Sequence, residues 1–101
     1  MEVMEIAIDL DELQAMADRF KILADPTRLQ ILREICNQER SVQEICDRTG
    51  LNQGNVSRHL RLMKDAGVVA CRRDSVWRYY RVIDADLISL CLHIRKSLKN
   101  R

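Results

Sequence analysis

The chain has 101 residues, of which 47% are hydrophobic and 32% are charged, with one proline and three glycines. This length corresponds to a single domain, residues 1–101, and the composition is typical of a helix-rich globular protein rather than a disordered one. No signal-peptide pattern opens the chain, and no apolar run approaches the roughly 20 residues of a membrane span. We therefore expect a cytoplasmic protein without membrane contact.

The charges are unevenly distributed along the chain, although the net charge is only +2. Residues 1–25 contain seven acidic and two basic side chains, whereas residues 52–81 contain two acidic and seven basic ones. A protein that binds nucleic acid needs a local basic patch rather than a basic average. The segment 52–81 therefore predicts a nucleic-acid partner.

A first helix is predicted at residues 9–24. It follows a stretch without a clear period, residues 1–8, which we expect to be an ordered arm or a frayed end. Asp9 or Asp11 starts the helix, and apolar residues then recur at helical spacing. These residues are Leu13, Met16, Ala17, Phe20, Leu23 and Ala24.

A second helix is predicted at about residues 26–37. Asp25 can cap its start, and Pro26 suits the first helical position because a proline there forfeits no hydrogen bond. The residues that we expect it to bury are Leu29, Leu32 and Ile35.

Residues 41–67 have the pattern of two helices joined by a turn. Ser41 followed by Glu44 is the capping-box pattern of a helix start, and Gly50 can end that helix. Asn52 is the next N-cap. The inward stripe of the second helix consists of Val56, Leu60 and Met63. Two helices joined through a turn with a glycine predict a helix-turn-helix, whose second helix enters the DNA major groove.

The outward face of that second helix is polar and suited to DNA. Its residues are Gln53, Asn55, Ser57, Arg58, His59 and Arg61. Gln and Asn side chains can bond adenine and Arg can bond guanine, each through two hydrogen bonds. Ser, His and Arg also contact phosphates. The alternative is an ordinary solvated helix face, and the basic segment that follows favours DNA.

Residues 68–82 predict a β-hairpin, because they alternate and are rich in β-forming residues, with Asp74-Ser75 as the turn. The arginines of this segment are Arg72, Arg73, Arg78 and Arg81. A basic hairpin after a recognition helix is a wing, and we expect Arg72, Arg73 and Arg78 to contact phosphates. Trp77 is either a core residue or a wing residue near the DNA.

A last helix is predicted at residues 84–98, with a cap at Asp84 or Asp86 and a repeating apolar seam. The seam consists of Leu87, Cys91, Ile94 and Leu98, widened by Leu90. A helix-turn-helix with a wing does not need the first and last helices, so we expect residues 9–24 and 84–98 to pair with those of a second copy. The predicted fold is mainly α with a small β-hairpin: five helices plus a wing, forming a homodimer through the first and last helices.

Three runs of the sequence also carry a family resemblance. They are DPTRLQIL at residues 25–32, GLNQGNVSRHLRLMKDAGVV at residues 50–69 and RRDSVWRYYRV at residues 72–82. Together they resemble the ArsR/SmtB family of winged helix-turn-helix repressors. The resemblance implies a homodimeric repressor that binds double-stranded operator DNA and leaves it when an inducer binds. It does not identify the inducer.

The residues present do not match the metal sites that this resemblance implies. One site would fall on Ser41 and Gln43 in place of a Cys-x-Cys pair. The other would fall on Asp84, Asp86, Ser97 and Asn100. Ser and Asn are poor zinc ligands beside His and carboxylates. We therefore predict no metal ligands and no cofactor.

The chain contains four cysteines, without a C-x-x-C motif, and structural disulfides are not expected in a cytoplasmic protein. Cys46 and Cys71 are predicted to be packing residues. Cys36 ends the second helix and Cys91 lies on the last; each alone suits packing, but as a pair they could reposition the recognition helices. Some members of the resembling family sense sulfane sulfur or oxidants through one cysteine on each of these helices. Their second-helix position corresponds to Arg33 in this chain.

Other functions explain the same residues less well. An enzyme is not expected, because the chain has no Gly-rich phosphate loop and no nucleophile–base set. Two alternatives to a repressor with a thiol or sulfur inducer stay open. One is a metal(loid)-responsive repressor with a non-standard site; the other is a constitutive DNA-binding protein or a dimeric interaction module without an inducer. Salt-dependent binding to duplex DNA separates the interaction module from the rest.

Overall fold

Five helices and a three-stranded antiparallel sheet make up residues 7–100, the part of the chain that the computed structural model describes. The elements are α1 (Leu10–Leu23), α2 (Pro26–Ile35), β1 (Arg40–Ser41), α3 (Val42–Thr49), α4 (Gln53–Asp65), β2 (Val69–Asp74), β3 (Trp77–Val82) and α5 (Ala85–Lys99). The predicted fold class, mainly α with a small β-hairpin, is confirmed. The expectation for the N-terminal arm falls largely outside the described residues.

Each helix begins at a short polar side chain that accepts a hydrogen bond from the first turn. The caps are Asp9, Asp25, Ser41, Asn52 and Asp84. At Ser41 both halves of the predicted capping box are present, each at 3.1 Å. Asn52 Oδ1 accepts from the Asn55 amide at 2.8 Å. The helix starts predicted from the sequence are therefore confirmed, and the cap at Asn52 determines where α4 begins.

The core lies where α2, α3 and α4 meet the start of the wing. Its buried residues are Ile22, Ile31, Leu32, Ile35, Ile45, Val56, Leu60, Met63, Val68, Val69 and Leu87. The predicted stripe of α4 is confirmed, because its three residues are fully buried. This burial fixes the rotation of α4 about its own axis.

The prediction that α2 buries Leu29 is wrong. Leu29 is 40% exposed, and Ile31 is fully buried instead. Ile31 and Ile35, four residues apart on α2, lie on the face of the helix that is buried in the core. That orientation turns Leu29 toward a groove between α2 and α5.

The hairpin is extended by a third strand that the sequence did not reveal. Strand β1 pairs with β3, so that Arg40 lies opposite Tyr80 and Ser41 opposite Tyr79. A strand of two residues is too short to show a period. The turn also differs from the prediction: Asp74 pairs with Trp77, so the turn is Ser75-Val76 rather than Asp74-Ser75.

Helices α1 and α5 leave most of their apolar side chains at the surface. Of their residues, all described, only Ile22 and Leu87 are buried. An ion pair joins the two elements, since the Arg19 guanidinium lies 2.6 Å from the Asp84 carboxylate that caps α5. No helix within residues 7–100 is long and apolar enough to cross a membrane.

Candidate nucleic-acid interface

The outer side of α4 carries a row of polar residues. Gln53, Ser57 and Arg61 are four residues apart, so their side chains lie one above the other on the helix. All three are exposed. Lys64 continues the row three residues later, and the predicted set omitted it. Helical spacing alone could have identified it.

A cleft of about 610 Å³ lies between this row and the wing. The residues that α4 contributes to it are Gln53, Ser57, Arg61, Lys64 and Asp65, and those of the hairpin are Val76, Trp77, Arg78 and Tyr80. Three of these side chains are cationic and one is acidic. The structure therefore brings the predicted recognition helix and wing together on one basic surface.

Asn55 and Arg58 contact each other next to this row. The Arg58 guanidinium donates to Asn55 Oδ1 at 3.0 Å. Asn55 is half-buried, whereas Arg58 is exposed. A base contact by Asn55 would therefore compete with Arg58 for the same oxygen.

His59 is half-buried and lies close enough to Asp25 and Arg28, at the start of α2, to feel their charges. Burial lowers the pKa of His59 by more than the nearby Asp25 carboxylate raises it. The charges of Arg28 and Arg58 lower this pKa further. At pH 7 the imidazole is therefore mainly neutral, and it would meet DNA as a hydrogen-bonding group rather than as a cation.

The wing arginines divide between its two faces. Arg73 and Arg78 lie directly opposite each other in the β2–β3 register, so they share one face, and Arg78 lines the cleft. Arg72 lies on the other face, 2.6 Å from the Glu39 carboxylate and 4.8 Å from the centre of the Tyr79 ring. The hydrogen bond from Arg72 lowers the pKa of Glu39. A phosphate contact by Arg72 would require this pair to open.

A second groove, of about 620 Å³, lies between α2 and α5 and contains both predicted sensing cysteines. Its lining consists of Leu29, Leu32, Arg33, Cys36, Asn37, Ile88, Cys91, Leu92 and Arg95. Burial raises the pKa of the Cys91 thiol, so this thiol is mainly protonated at neutral pH. Within residues 7–100, no cluster of three or more His, Cys, Asp or Glu side chains is arranged to hold a metal ion.

A buried carboxylate links this groove to the helix-turn-helix. The Glu34 side chain is only 8% exposed. It accepts from Arg48 of α3 at 2.6 Å and from Arg33, which lines the groove, at 3.1 Å. The hydrogen bond from Arg48 is the main cause that lowers the pKa of Glu34. Sequence reasoning missed this link, because no motif joins residues 14 positions apart.

Comparison with known proteins identifies the family to which this chain belongs. Residues 25–70 match the model of the bacterial regulatory protein arsR family. The chain is 32% identical over 93 residues to the arsenical resistance operon repressor of Bacillus subtilis, a match that covers 84% of this chain and 87% of the relative. It is 43% identical over 74 residues to the probable mercury resistance operon repressor of Streptomyces lividans, covering 70% and 59% of the two chains.

A solved structure extends the likeness over nearly the whole chain. It is the homodimeric winged helix-turn-helix DNA-binding domain of Mb0332 from Mycobacterium bovis, a possible ArsR-family transcriptional regulator. The match has a TM-score of 0.81 and 29% identity, and it covers 99% of this chain and 93% of that one. The chain therefore belongs to the arsR family of bacterial regulatory proteins, which are DNA-binding transcriptional regulators and not enzymes.

Proposed function

We propose that this protein acts as a homodimeric repressor in which α4 of each copy enters a major groove and the wing contacts the flanking phosphates. The observation that carries the proposal is the shared cleft, because it aligns the polar row of α4 with the basic face of the wing. The operator contacts that we propose for α4 are Gln53, Asn55, Ser57, Arg58, His59 and Arg61, with Lys64 added. We assign phosphate contacts to Arg73 and Arg78, and to Arg72 only if it leaves Glu39.

The dimer is proposed to form through α1 and α5, residues 9–24 and 84–98. Their exposed apolar side chains are Leu10, Leu13, Met16, Phe20, Leu92, Ile94 and Leu98. Exposing this many large apolar side chains on two helices would be costly in water without a partner. The radius of gyration, 15.7 Å, also exceeds the roughly 13 Å of a compact 100-residue domain. A dimer of this kind would present two recognition helices about 34 Å apart.

DNA binding is tested by fluorescence anisotropy with a duplex that the protein itself selects from a random-sequence pool. We expect Lys64→Ala to weaken binding several-fold, because Lys64 lies in the row that faces the cleft. Lys96→Ala is the matched control, since it removes an exposed lysine from α5, and it should bind like the wild type. Equal losses in both variants would contradict α4 as the DNA-binding helix.

For the inducer, we propose a thiol switch formed by Cys36 and Cys91. The support is that both cysteines line the α2–α5 groove. Oxidation would join the two sulfurs as a disulfide, release two protons and pass two electrons to the oxidant. The same groove also lends itself to a second candidate, a thiophilic metal ion bound by the two thiolates, because two relatives are named as mercury and arsenical repressors.

The proposed switch has a route to the DNA-binding helices. Cys36 Sγ lies 3.3 Å from the Arg33 carbonyl oxygen, and Arg33 shares Glu34 with Arg48 of α3. A change at Cys36 that moves the end of α2 would therefore shift the Glu34 hydrogen bonds. Because α3 packs against α4, the recognition helix would be displaced from its productive position.

The inducer is tested on the reduced protein bound to the selected duplex, by adding a persulfide donor, a mild oxidant, mercuric ion or arsenite in turn. Release by the donor or oxidant, lost in both Cys36→Ser and Cys91→Ser, would support the thiol switch. Release by mercuric ion or arsenite alone would favour the metal(loid) candidate. Cys71→Ser, outside the groove, is the control. Binding that persists under all four additions would favour a constitutive repressor.

A further inference from the structure

The groove between α2 and α5 has an apolar floor. Its aliphatic lining consists of Leu29, Leu32, Ile88 and Leu92. Two of these side chains are partly in water, since Leu29 is 40% exposed and Leu92 is 58% exposed. The thiol of Cys91, whose pKa is raised by burial, is protonated at neutral pH and packs like a small apolar group. At about 620 Å³, the groove has the size of pockets that hold small molecules.

Positive charge lies at this groove without a carboxylate to match it. Arg33 and Arg95 line the groove, and none of its described lining residues is acidic. Arg95 takes part in none of the ion pairs found within residues 7–100. The Arg33 side chain is 66% exposed and donates to Glu34 through Nε. Its two terminal amino groups are donors for a further acceptor. The groove therefore suits a ligand with negative charge.

The combination of an apolar floor and two arginines selects the kind of anion. The planar guanidinium group matches a carboxylate through two parallel hydrogen bonds. Inorganic phosphate would pair with the arginines but would leave the aliphatic side chains in water. A neutral apolar molecule would cover those side chains but would gain nothing from the charge. An amphipathic carboxylate, with an apolar body and one anionic end, uses both features.

A second copy of the chain is a less suitable occupant of the groove. Ile88, Leu92 and Arg95 follow one another at spacings of four and three residues, so they lie on one face of α5. Ile94 and Leu98, which we assign to the dimer, lie roughly a third of a turn away in a helix of about 3.6 residues per turn. A partner seated on that second face would leave the groove accessible to a small molecule.

We propose that the α2–α5 groove binds an amphipathic carboxylate, whose apolar body lies on the aliphatic floor and whose carboxylate group pairs with Arg33 and Arg95. Pairing would draw Arg33 away from Glu34 and leave this buried carboxylate with Arg48 of α3 alone. A bound ligand would therefore disturb the link between α2 and the helix-turn-helix and weaken DNA binding, without any reaction of a cysteine. The release of DNA rests on the proposed function, whereas the binding of the ligand does not.

Ligand binding is tested by an NMR titration of the isotope-labelled, reduced full chain with octanoate. Octanol, which has the same chain length without the charge, and butyrate, which has the same charge with a shorter chain, are the two control ligands. We expect amide shift changes at Arg33, Cys36 and Leu92. Octanoate should bind at least about tenfold more tightly than either control, because it alone gains both the charged hydrogen bonds and the burial of a longer chain.

A pair of variants on α5 separates the charge from the fold. Arg95→Gln should weaken octanoate binding on the order of tenfold and leave octanol binding unchanged. Because Arg95 is exposed, this variant should unfold at the wild-type temperature. Lys96→Gln removes the neighbouring exposed charge and should bind octanoate like the wild type. In anisotropy measurements with the selected duplex, octanoate should weaken DNA binding several-fold in the wild type and less in Arg95→Gln.

The outcomes distinguish the ligand site from the repressor function. Equal affinity for octanoate and octanol would overturn the anion site. Octanoate binding to a monomeric Phe20→Asp protein but not to the wild type would overturn it as well, because the partner copy would then occupy the groove. Octanoate binding that leaves DNA affinity unchanged would overturn the regulatory role alone. Failure to select any duplex would contradict the proposed function, while the titration would still decide on the ligand.

Discussion

The helix-turn-helix and the outer helices bury their apolar residues to very different extents. In α4, Val56, Leu60 and Met63 are fully buried, so one chain suffices to orient this helix. In α1 and α5, by contrast, most apolar side chains are exposed, and Phe20 is 53% exposed. The first region is complete in a single copy, whereas the second is suited to a second copy. The α2–α5 groove that contains the cysteines belongs to the second region.

The largest effect is expected in the first region. Leu60→Ala should lower the free energy of unfolding by about 2–5 kcal/mol, because it leaves a cavity in a fully packed site. Urea unfolding followed by circular dichroism measures this loss, which should be the same at all protein concentrations. A loss below about 1 kcal/mol would mean that α4 is held by other contacts.

A change in the second region should act through association instead. Phe20→Asp should leave a folded monomer, because Phe20 lies on the exposed stripe of α1, and operator binding should fall by about 100-fold or more as the two linked half-sites separate. Sedimentation velocity measures the mass and anisotropy measures the binding. Ile83→Asp, at an exposed site outside α1 and α5, is the control. A Phe20→Asp protein that still sediments as a dimer would refute the proposed interface.

Substitution of Glu34, the residue that links the two regions, should have an intermediate effect on stability. Glu34→Gln should lower the stability by about 1–3 kcal/mol, since a buried charge-assisted hydrogen bond is weakened. The lowered pKa of Glu34 means that the unfolded state binds this proton more readily. The contribution of Glu34 is therefore complete above its ordinary value of 4.5 and is lost as the pH falls through the lower folded-state pKa.

The measurement is urea unfolding between pH 7 and the acid limit of the fold. The Glu34→Gln variant should lack the part of the acid destabilisation that Glu34 causes. The free energies of unfolding of the variant and the wild type, plotted against pH, should therefore converge at low pH. Parallel curves would show that Glu34 is not coupled to Arg48 in solution.

The smallest effect is expected in the salt dependence of DNA binding, where substitutions on the two faces of the wing should give different results. Arg78→Ala should flatten the dependence of the logarithm of affinity on the logarithm of salt concentration by about one unit, because one phosphate contact is lost. Arg72→Ala should flatten it less, since Arg72 is bound to Glu39. Anisotropy titrations at several salt concentrations give both slopes. A larger change for Arg72 would show that the pair with Glu39 opens on DNA.

Most of the fold is predictable because its signals are local. The caps at Asp25, Ser41 and Asn52 act within one helical turn, and the stripe of α4 repeats at helical spacing. The features that the sequence does not predict correctly are those that tertiary contacts determine. Leu29 matches the helical period as well as Ile31 does, and only the packing of α2 on α3 decides which of them is buried.

The candidate site is predictable to a similar degree. Sequence patterns identify the polar residues of α4 and the basic hairpin, but strand register divides the arginines between two faces, and the turn position sets that register. The pairing of Arg72 with Glu39 depends on β1, which is too short to be seen in the sequence. The placement of Cys36 and Cys91 in one groove likewise depends on how α5 crosses α2.

The DNA-binding role of the α4–wing cleft is tested most directly by an NMR titration of the isotope-labelled protein with its selected duplex. We predict that the largest amide shift changes occur at Gln53, Ser57 and Arg61 and along β3 at Arg78, with smaller changes at Cys36 and Cys91. Changes concentrated in the α2–α5 groove, with α4 unaffected, would contradict the assignment of the α4–wing cleft as the DNA-binding surface.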